Sequence, residues 1–444
     1  MIKLILGGVI WEKINFFVKM LKLDIKTCIA YVLSLAIGFI VLFNIFNLFF
    51  LEEIKAENGD DRIFFGGMVL IITAIILLLG YYSNSFFLNR RGREVGVELM
   101  SGLSLVDLSV NFIVQNAILS GFATLIGVTG GILLSPIFNT LAFKLIGISG
   151  ERFAISKDGI ICTVMLIIIQ ILFVAAVDVG YGHRSEICDL IKSKNKGYKP
   201  KKKDLSAFKT IIYFIIFIVP IIGLFFINYN SSGYEVIIQI TAIVGGAGLA
   251  LFIRDGIPYI IEVYLNKSGR KDPIKVMYLR NLKYVMEKSS VIMICFSVII
   301  IAITIIIGGV NYDIKFSVVS TIGLVATTFL LSITIIYKVI IEGLNRVNSF
   351  KQIFLLGYTK DKIMKIISKE VSTYYFIVFI MPLIQGTCIF YGYVKGRAIE
   401  PTILLILALI LILLAIVTFF ISYIYYKKII LNSNEALGEG KWRI

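Results

Sequence analysis

The chain has 444 residues, 58% of them hydrophobic, with a mean hydropathy of +0.92 and a formal net charge of +16. This composition excludes a soluble globular protein and indicates an integral membrane protein. The apolar runs approach the ~20 residues that a helix needs to cross a bilayer, whereas barrel strands would be shorter and alternating, so helices are predicted. The positive charge fits loops that face the cytoplasm and contact anionic lipid, and nucleic acid is not expected as a partner.

Residues 1–27 precede the first apolar run and predict a cytoplasmic amphipathic helix. Ile10, Ile14 and Phe17 belong to one apolar stripe and lysines occupy the rest of the wheel, as in a helix that lies in the membrane interface. Ten spans follow, so both termini are expected on one side of the membrane. The spans are predicted at 28–50, 63–88, 107–134, 157–180, 209–228, 235–262, 289–309, 314–342, 364–394 and 401–426.

The loops between these spans sort by charge. Most of the 44 Lys and Arg residues fall in the two terminal segments and in the loops at 89–106, 181–208, 263–288 and 343–363. The positive-inside rule assigns these segments to the cytoplasm, and we call their side of the membrane the basic side. Loops on the opposite side are short, except that 135–156 is long enough for a small re-entrant or surface helix.

A weak internal repeat relates two parts of the chain about 256 residues apart. Residues 88–90 (LNR) recur at 344–346, and LMSGLS at 99–104 is echoed by FLLGYT at 354–359. Each copy has two spans, a cytoplasmic amphipathic helix that ends at a glycine, and two more spans. The fold prediction is therefore an all-α polytopic membrane protein arranged 4+2+4. Its parts are an interface helix (1–27), a first four-helix unit (28–190), a linker with two spans (191–270), a second four-helix unit (271–430) and a cytoplasmic tail (431–444).

The stretch NRRGREVGVELMSGLS, residues 89–104, places charges and glycines between the second and third spans. As a helix it would pair Arg90 with Glu94 at i, i+4, while Gly102 would end the helix and Ser104 would cap the next span. One interpretation is a connector whose arginines contact lipid headgroups. The acids Glu94 and Glu98 argue against it, because anionic lipid repels them.

The same stretch resembles the signature of the FtsX-like permease family, the membrane subunits of type VII ABC transporters. In that signature a basic turn leads into Glu-hydrophobic-Gly, a Leu-x-x-Gly ending and a long helix rich in Gly and Leu. The 4+2+4 arrangement is similar to the bacitracin-export branch, which confers resistance to antimicrobial peptides, although the large extracellular domain of that branch is replaced by a short turn at 308–313. The matching positions are Arg90, Arg91, Glu94, Gly96, Leu99 and Gly102.

The resemblance implies how the chain works with its partners. In that family the helix between the second and third spans docks on a cytoplasmic ABC ATPase, which binds ATP and Mg. This chain has no GxxxxGK[ST] phosphate loop, so we expect no enzyme activity, cofactor or metal in the chain itself. A second permease or a sensor histidine kinase are further partners to consider, besides membrane lipid. The coupling residues implied are those of the signature together with Glu98 and, in the second copy, Lys351 and Gly357.

The function implied is that of a permease subunit in a bacterial plasma membrane, with both termini cytoplasmic. It would act on amphiphilic peptides or lipid-linked molecules at the outer leaflet, in antimicrobial peptide export, removal or resistance. One alternative is a signalling or scaffold subunit that couples an ATPase to a sensor kinase. Another is a secondary transporter, which would need ionisable residues at the bilayer midplane, where few occur.

Four polar residues inside spans are candidates for a substrate site or cavity. Asn44 and Asn47 fall in the first span, where either a ligand or another helix can take their amides. Arg254 and Asp255 interrupt the sixth span near Gly256, where they would either face a cavity or pair with each other near the headgroups.

Three further charged residues lie near the basic-side ends of spans. Asp178, Lys338 and Glu342 are each within a turn or two of the predicted membrane boundary. We expect such side chains to snorkel to the aqueous interface.

Overall fold

The computed structural model describes residues 25–54, 72–88, 100, 102, 104–184, 207–229, 234–267, 272–286, 314–396 and 401–438. These residues form helices joined by turns, and this part of the chain contains no strand, which confirms the all-α class. The helices are α1 (Ile25–Phe50), α2 (Ile72–Leu88), α3 (Leu105–Ile146), α4 (Lys157–Arg184), α5 (Ala207–Gly223), α6 (Tyr234–Leu251), α7 (Ile257–Lys267), α8 (273–286), α9 (Ile314–Leu355), α10 (Lys360–Tyr375), α11 (Met381–Lys395) and α12 (Pro401–Gly438).

Eight helical stretches in the described residues are long and apolar enough to cross a membrane, so the chain is a multi-pass membrane protein. A ninth apolar helix, α2, is shorter. The predicted seventh span, 289–309, and residues 63–71 of the second lie outside the described residues. The count of ten spans and the 4+2+4 arrangement therefore stay predictions.

The chain divides into two compact units. The first contains the helices α1 to α4, and the second contains α5 to α12. Gly102 and Ser104 of the predicted coupling stretch belong to the first unit, and the echo at 354–359 belongs to the second.

In the first unit, α1 packs against both α3 and α4. The contact with α3 depends on small residues, because a Cβ added at Gly127 would lie 2.5 Å from the Cβ of Phe39, and one at Gly131 would lie 2.8 Å from the ring of Phe43. Glycine at these positions lets the two helix backbones approach closely.

The helix α3 is longer than the sequence predicts. It continues past the predicted end at residue 134, through Pro136, to Ile146, where Gly147 caps it. The first part of 135–156 is therefore a continuation of the span and not a separate re-entrant or surface helix. Pro136 has no N–H for the carbonyl of Ile132, and the Ser135 hydroxyl donates to that carbonyl instead, at 2.9 Å. This substitute hydrogen bond explains why the proline does not end the helix.

In the second unit, two π-helical turns lie just before prolines. The turn Phe252–Gly256 precedes Pro258, and Phe376–Ile380 precedes Pro382. A proline has no N–H to donate to the carbonyl four residues earlier. In a π-helical turn the hydrogen bonds join residues five apart, so that carbonyl can accept a different N–H. The sixth span is therefore not interrupted at Arg254 and continues to Lys267.

Candidate functional site

Each unit contains one glycine corner, a turn between helices that is centred on Gly102 in the first unit and on Gly357 in the second. Gly102 has φ +95° and Gly357 has φ +89°, in the left-handed region that glycine adopts at low cost. The residues that begin the next helices also match, since Ser104 has φ −72° and ψ 157° while Thr359 has φ −67° and ψ 156°. The two copies of the repeat thus share one backbone conformation at this turn.

The second corner closes α9 with a Schellman motif. The N–H of Tyr358 donates to the carbonyl of Ile353 at 3.3 Å, and the N–H of Gly357 donates to that of Phe354 at 3.0 Å. These bonds satisfy carbonyls that a helix end would otherwise leave open. The predicted stop at Gly357 is thereby confirmed, and the direction in which α10 leaves is set by backbone hydrogen bonds.

The first corner has a side-chain cap that the second lacks. The hydroxyl of Ser104 accepts the N–H of Asp107 at 3.1 Å and donates to the Asp107 carboxylate at 2.7 Å, which confirms the predicted cap of α3. Thr359 makes no side-chain capping bond. The two corners therefore agree in backbone and differ in side-chain chemistry.

Both corners present apolar side chains next to the glycine. Met100 is 70% exposed, and its counterpart Leu355 is 74% exposed. Leu356 is exposed as well. Exposed apolar groups beside a rigid turn favour contact with another surface.

The other predicted coupling residues divide between described and undescribed segments. Lys351 lies in the last turns of α9, two turns before Gly357, and is partly buried. The predicted coupling residues that fall outside the described residues, so that their roles stay predictions, are Arg90, Arg91, Glu94, Gly96, Glu98 and Leu99.

A buried ionic cluster joins the two helices that meet at the second corner, α9 and α10. We call it the Arg346 cluster; it comprises Asn281, Lys338, Glu342, Arg346, Glu370 and Tyr426. The Arg346 guanidinium donates to Glu342 Oε1 at 3.1 Å, to Glu370 Oε1 at 2.5 Å and to the carbonyl of Asn281 at 3.0 Å. The Asn281 amide in turn donates to Glu370 Oε2 at 3.1 Å. One side chain thereby connects α8, α9 and α10.

The charges of the Arg346 cluster balance. Lys338 Nζ lies 3.9 Å from Glu342 Oε2, so two cations face two carboxylates. The Tyr426 hydroxyl on α12 contributes a long hydrogen bond to Glu370 Oε1, at 3.5 Å. Burial alone would lower the pKa of the Arg346 guanidinium, but the carboxylates of Glu370 and Glu342 outweigh it and hold that pKa above its usual range. Arg346 therefore stays charged.

A second buried cluster, the Asp178 cluster, lies in the first unit and comprises Asn84, Asn116 and Asp178. The Asn84 amide donates to Asp178 Oδ1 at 2.7 Å. The Asn116 amide donates to Asp178 Oδ2 and to Asn84 Oδ1, the latter at 3.0 Å. These bonds connect α2, α3 and α4. Within the described residues, Asp178 makes no ion pair.

The expectation that the charged residues near span ends snorkel is wrong. Asp178 is 0% exposed, Lys338 is 5% exposed and Glu342 is 2% exposed. Each finds hydrogen-bond or ion-pair partners inside its own unit, and these partners replace water.

The asparagines of the first span are also engaged inside the first unit. The Asn47 amide donates to Asn139 Oδ1 and to the carbonyl of Ala154, both at 3.2 Å, and Asn47 Oδ1 accepts the N–H of Ser156 at 2.8 Å. The Asn44 amide donates to backbone carbonyls on α1 and α3. These bonds match the alternative in which another helix takes the amides of Asn44 and Asn47. A ligand contact by either side chain stays a prediction.

Arg254 and Asp255 pair with each other. Arg254 Nη2 lies 2.7 Å from Asp255 Oδ2, and both residues belong to the π-helical turn before α7. This geometry matches the self-pairing alternative, and a cavity role for the pair stays a prediction.

Sequence reasoning missed Arg346, Glu370, Asn84 and Asn116. A signal existed for the first two, because Arg346 follows Glu342 at i, i+4 and Glu370 falls on the apolar stripe of α10. The buried residues of that stripe are Ile363, Ile366, Ile367, Glu370, Val371 and Tyr374. Nothing in the local pattern of α2 or α3 distinguishes Asn84 or Asn116 from other polar residues in spans.

Comparison with known proteins relates the chain to a permease. No family model matches it. It is 20% identical over 286 residues to the "Bacitracin export permease protein BceB" of Bacillus subtilis (strain 168), a match that covers 62% of this chain and 44% of that protein. The chain thus matches less than half the length of this relative, and the similarity is distant.

Proposed function

We propose that this chain is the membrane permease subunit of an ATP-binding-cassette transporter. The observation that carries the proposal is the pair of glycine corners, which share φ near +90° and expose apolar side chains. The distant similarity to an export permease supports the same class. Cytoplasmic ATPase subunits, which bind ATP and Mg, dock at the corners.

The Arg346 cluster and the Asp178 cluster suit the transmission of force. A push on the second corner reaches α9 and α10 together, because Arg346 holds Glu342 and Glu370 at once. In the first unit, Asp178 holds both α2 and α3 through their asparagines. Buried hydrogen-bonded networks of this kind rigidify the helices that they connect. Closure of the ATPase thereby moves spans rather than bending a loop.

The substrate proposed is an amphiphilic peptide or a lipid-linked molecule at the outer leaflet of a bacterial plasma membrane. The relative's name records bacitracin export, and we extend only the chemical class to this chain. Export, removal from the membrane and resistance are all compatible with force delivered from the basic side. A second permease or a sensor histidine kinase would complete the assembly, and both termini would be cytoplasmic.

Charge reversal at the first corner tests the docking. The tagged chain is purified with its ATPase, recognised as a co-purifying polypeptide with a GxxxxGK[ST] loop, and ATP hydrolysis is measured. The double variant Glu94→Lys/Glu98→Lys should retain at least about fivefold less ATPase, since lost ionic contacts at a partly exposed interface are worth roughly 1–3 kcal/mol. The control is Lys144→Glu, an exposed change at the far end of α3.

The second corner completes this experiment. Lys351→Glu should weaken retention less, because the second copy carries Lys351 and Gln352 where the first carries acids. If Lys351→Glu releases the ATPase and the double variant does not, the dominant contact is at the second corner. If no co-purifying ATPase is found, or if neither change alters retention relative to Lys144→Glu, the docking proposal is wrong and the stretch is a headgroup connector.

A further inference from the structure

The helix that leaves the second corner, α10, begins with a row of exposed lysines. Lys362, Lys365 and Lys369 follow one another at spacings of three and four residues, so they share one face of the helix. All three are exposed, and Asp361 is the exposed acid of the same turns. The exposed face at 360–369 therefore carries a net positive charge.

The exposed surface becomes apolar further along the same helical stretch. Phe376 is 58% exposed, and Ile380 and Ile384 are exposed one and two turns later. Lys369 precedes Phe376 by seven residues, about 10 Å along the helix axis. The polar layers of a bilayer are each about 5–8 Å thick. With Phe376 in contact with hydrocarbon, the long side chain of Lys369 reaches the headgroup layer of the basic-side leaflet.

Tyr278 of α8 positions the Lys369 ammonium. Lys369 Nζ lies 5.6 Å from the centroid of the Tyr278 ring, a cation–π contact. An ammonium has three N–H donors, so contact with one ring leaves donors for a ligand. Lys275 of α8 makes a similar pair with Tyr264 of α7, at 4.7 Å from the ring centroid. Tyrosine is enriched at the membrane–water interface because its ring is apolar and its hydroxyl polar.

Topology alone does not account for the lysines of α10. The helix that leaves the first corner, α3, is predicted to start on the same side of the membrane and has no Lys or Arg before Lys144. The exposed side chains in its first turns include Val106 and Val110. In the second unit the surrounding sequence is basic as well, since residues 263–288 contain seven Lys and Arg against two acids, and residues 343–369 contain six against one.

We propose that Lys365 and Lys369, with Tyr278 beside them, bind the headgroup of an anionic phospholipid in the basic-side leaflet. The ammonium groups pair with phosphate oxygens, and the acyl chains lie along the exposed apolar surface that begins at Phe376. The exposed lysines and the exposed apolar side chains follow each other on one helix, which fits a ligand with an anionic head and an apolar tail. The site is independent of the proposed permease function.

A fluorescent reporter beside the lysines tests the site in the full-length chain. Phe376→Trp replaces one exposed ring with another, and the parent chain supplies the background of Trp11 and Trp442. Brominated phosphatidylglycerol or brominated phosphatidylcholine, which quench tryptophan on contact, is added to the detergent-solubilised protein at equal mole fraction. The anionic lipid should quench the reporter at least about twofold more than the zwitterionic lipid.

Two double variants of the reporter chain locate this preference. Lys365→Gln/Lys369→Gln should abolish it, because the remaining side chains of the site carry no positive charge. Lys427→Gln/Lys428→Gln, which removes the same charge from the basic-side end of α12, should keep it. Should the first double variant fail to fold, Lys365→Gln and Lys369→Gln should each lower the preference on their own.

Three results would overturn the proposal. Equal quenching by the two lipids would show that the surface does not select an anionic headgroup. A preference that survives in both the Lys365→Gln and Lys369→Gln variants would mean that charges elsewhere attract the lipid. If Lys365→Gln/Lys369→Gln releases a co-purifying ATPase and leaves the lipid preference unchanged, the lysines contact a protein and not a membrane.

Discussion

The Asp178 cluster of the first unit and the Arg346 cluster of the second hold their helices with different chemistry. Asn116 lies fourteen residues after Gly102, and Glu370 lies thirteen residues after Gly357. The Arg346 cluster joins α9, which enters the second corner, to α10, which leaves it. The Asp178 cluster joins α2 and α4 to α3, which leaves the first corner. The first uses two amides around one carboxylate, while the second uses two cations against two carboxylates.

The contrast shows that the backbone conformation of a corner does not depend on which buried side chains hold the neighbouring helices together. The left-handed glycine is common to both copies, because the backbone conformation depends on one residue type. The support differs because a buried polar connection needs only satisfied partners, and amides or ion pairs both satisfy them. We therefore expect the two units to lose different amounts of stability when a side chain of their cluster is removed, although the turn geometry is the same.

The largest expected effect is a loss of stability that differs between the two clusters. Arg346→Met leaves Glu342 and Glu370 buried without their shared cation, and such a loss costs about 3–5 kcal/mol. Asn84→Leu removes one donor from Asp178 and leaves the Asn116 amide, so about 1–3 kcal/mol is expected. Thermal unfolding in detergent measures both, with Gln352→Ala on the exposed face of α9 as the control. Equal losses in the two variants would remove the energetic distinction between the clusters.

A smaller effect should be the same in both units. Gly102→Ala and Gly357→Ala place a Cβ in the left-handed region, which costs about 1–2 kcal/mol, and no neighbouring atom lies within 4 Å to add a steric cost. Gly121→Ala, at a helical glycine with equally open space, should instead stabilise by roughly 0.5–1 kcal/mol. The unfolding temperatures of the three variants measure these changes in stability. A clear difference between the two corner variants would show that their matching backbone angles do not reflect equal strain.

The smallest effect concerns the caps. Ser104→Ala removes the hydrogen bond from the Asp107 N–H and should cost about 1 kcal/mol. Thr359→Ala removes no side-chain capping bond and should change the free energy of unfolding by less than about 0.5 kcal/mol. Chemical unfolding at fixed detergent concentration resolves this difference. A loss at Thr359 as large as that at Ser104 would mean that the second corner is capped as the first is.

Local patterns in the sequence were sufficient for the class of fold and for the corners. Apolar runs predict membrane helices because hydrocarbon excludes unpaired backbone groups, and eight helical stretches in the described residues are long and apolar enough to confirm this. The glycines at 102 and 357 predict helix stops because only glycine adopts positive φ without strain, and both adopt it. Each of these properties depends on a residue and its immediate neighbours in the chain.

The side-chain partners were decided only by the tertiary structure. Arg346 and Glu370 are 24 residues apart and Asn84 and Asp178 are 94 apart, so no local spacing relates them. Helical periodicity indicates which residues face the interior, but the partner that they meet depends on how neighbouring helices cross and on their relative height in the membrane. For that reason the sequence by itself predicted that Asp178, Lys338 and Glu342 lie near span ends, and only the packing of the helices showed that these charges are buried.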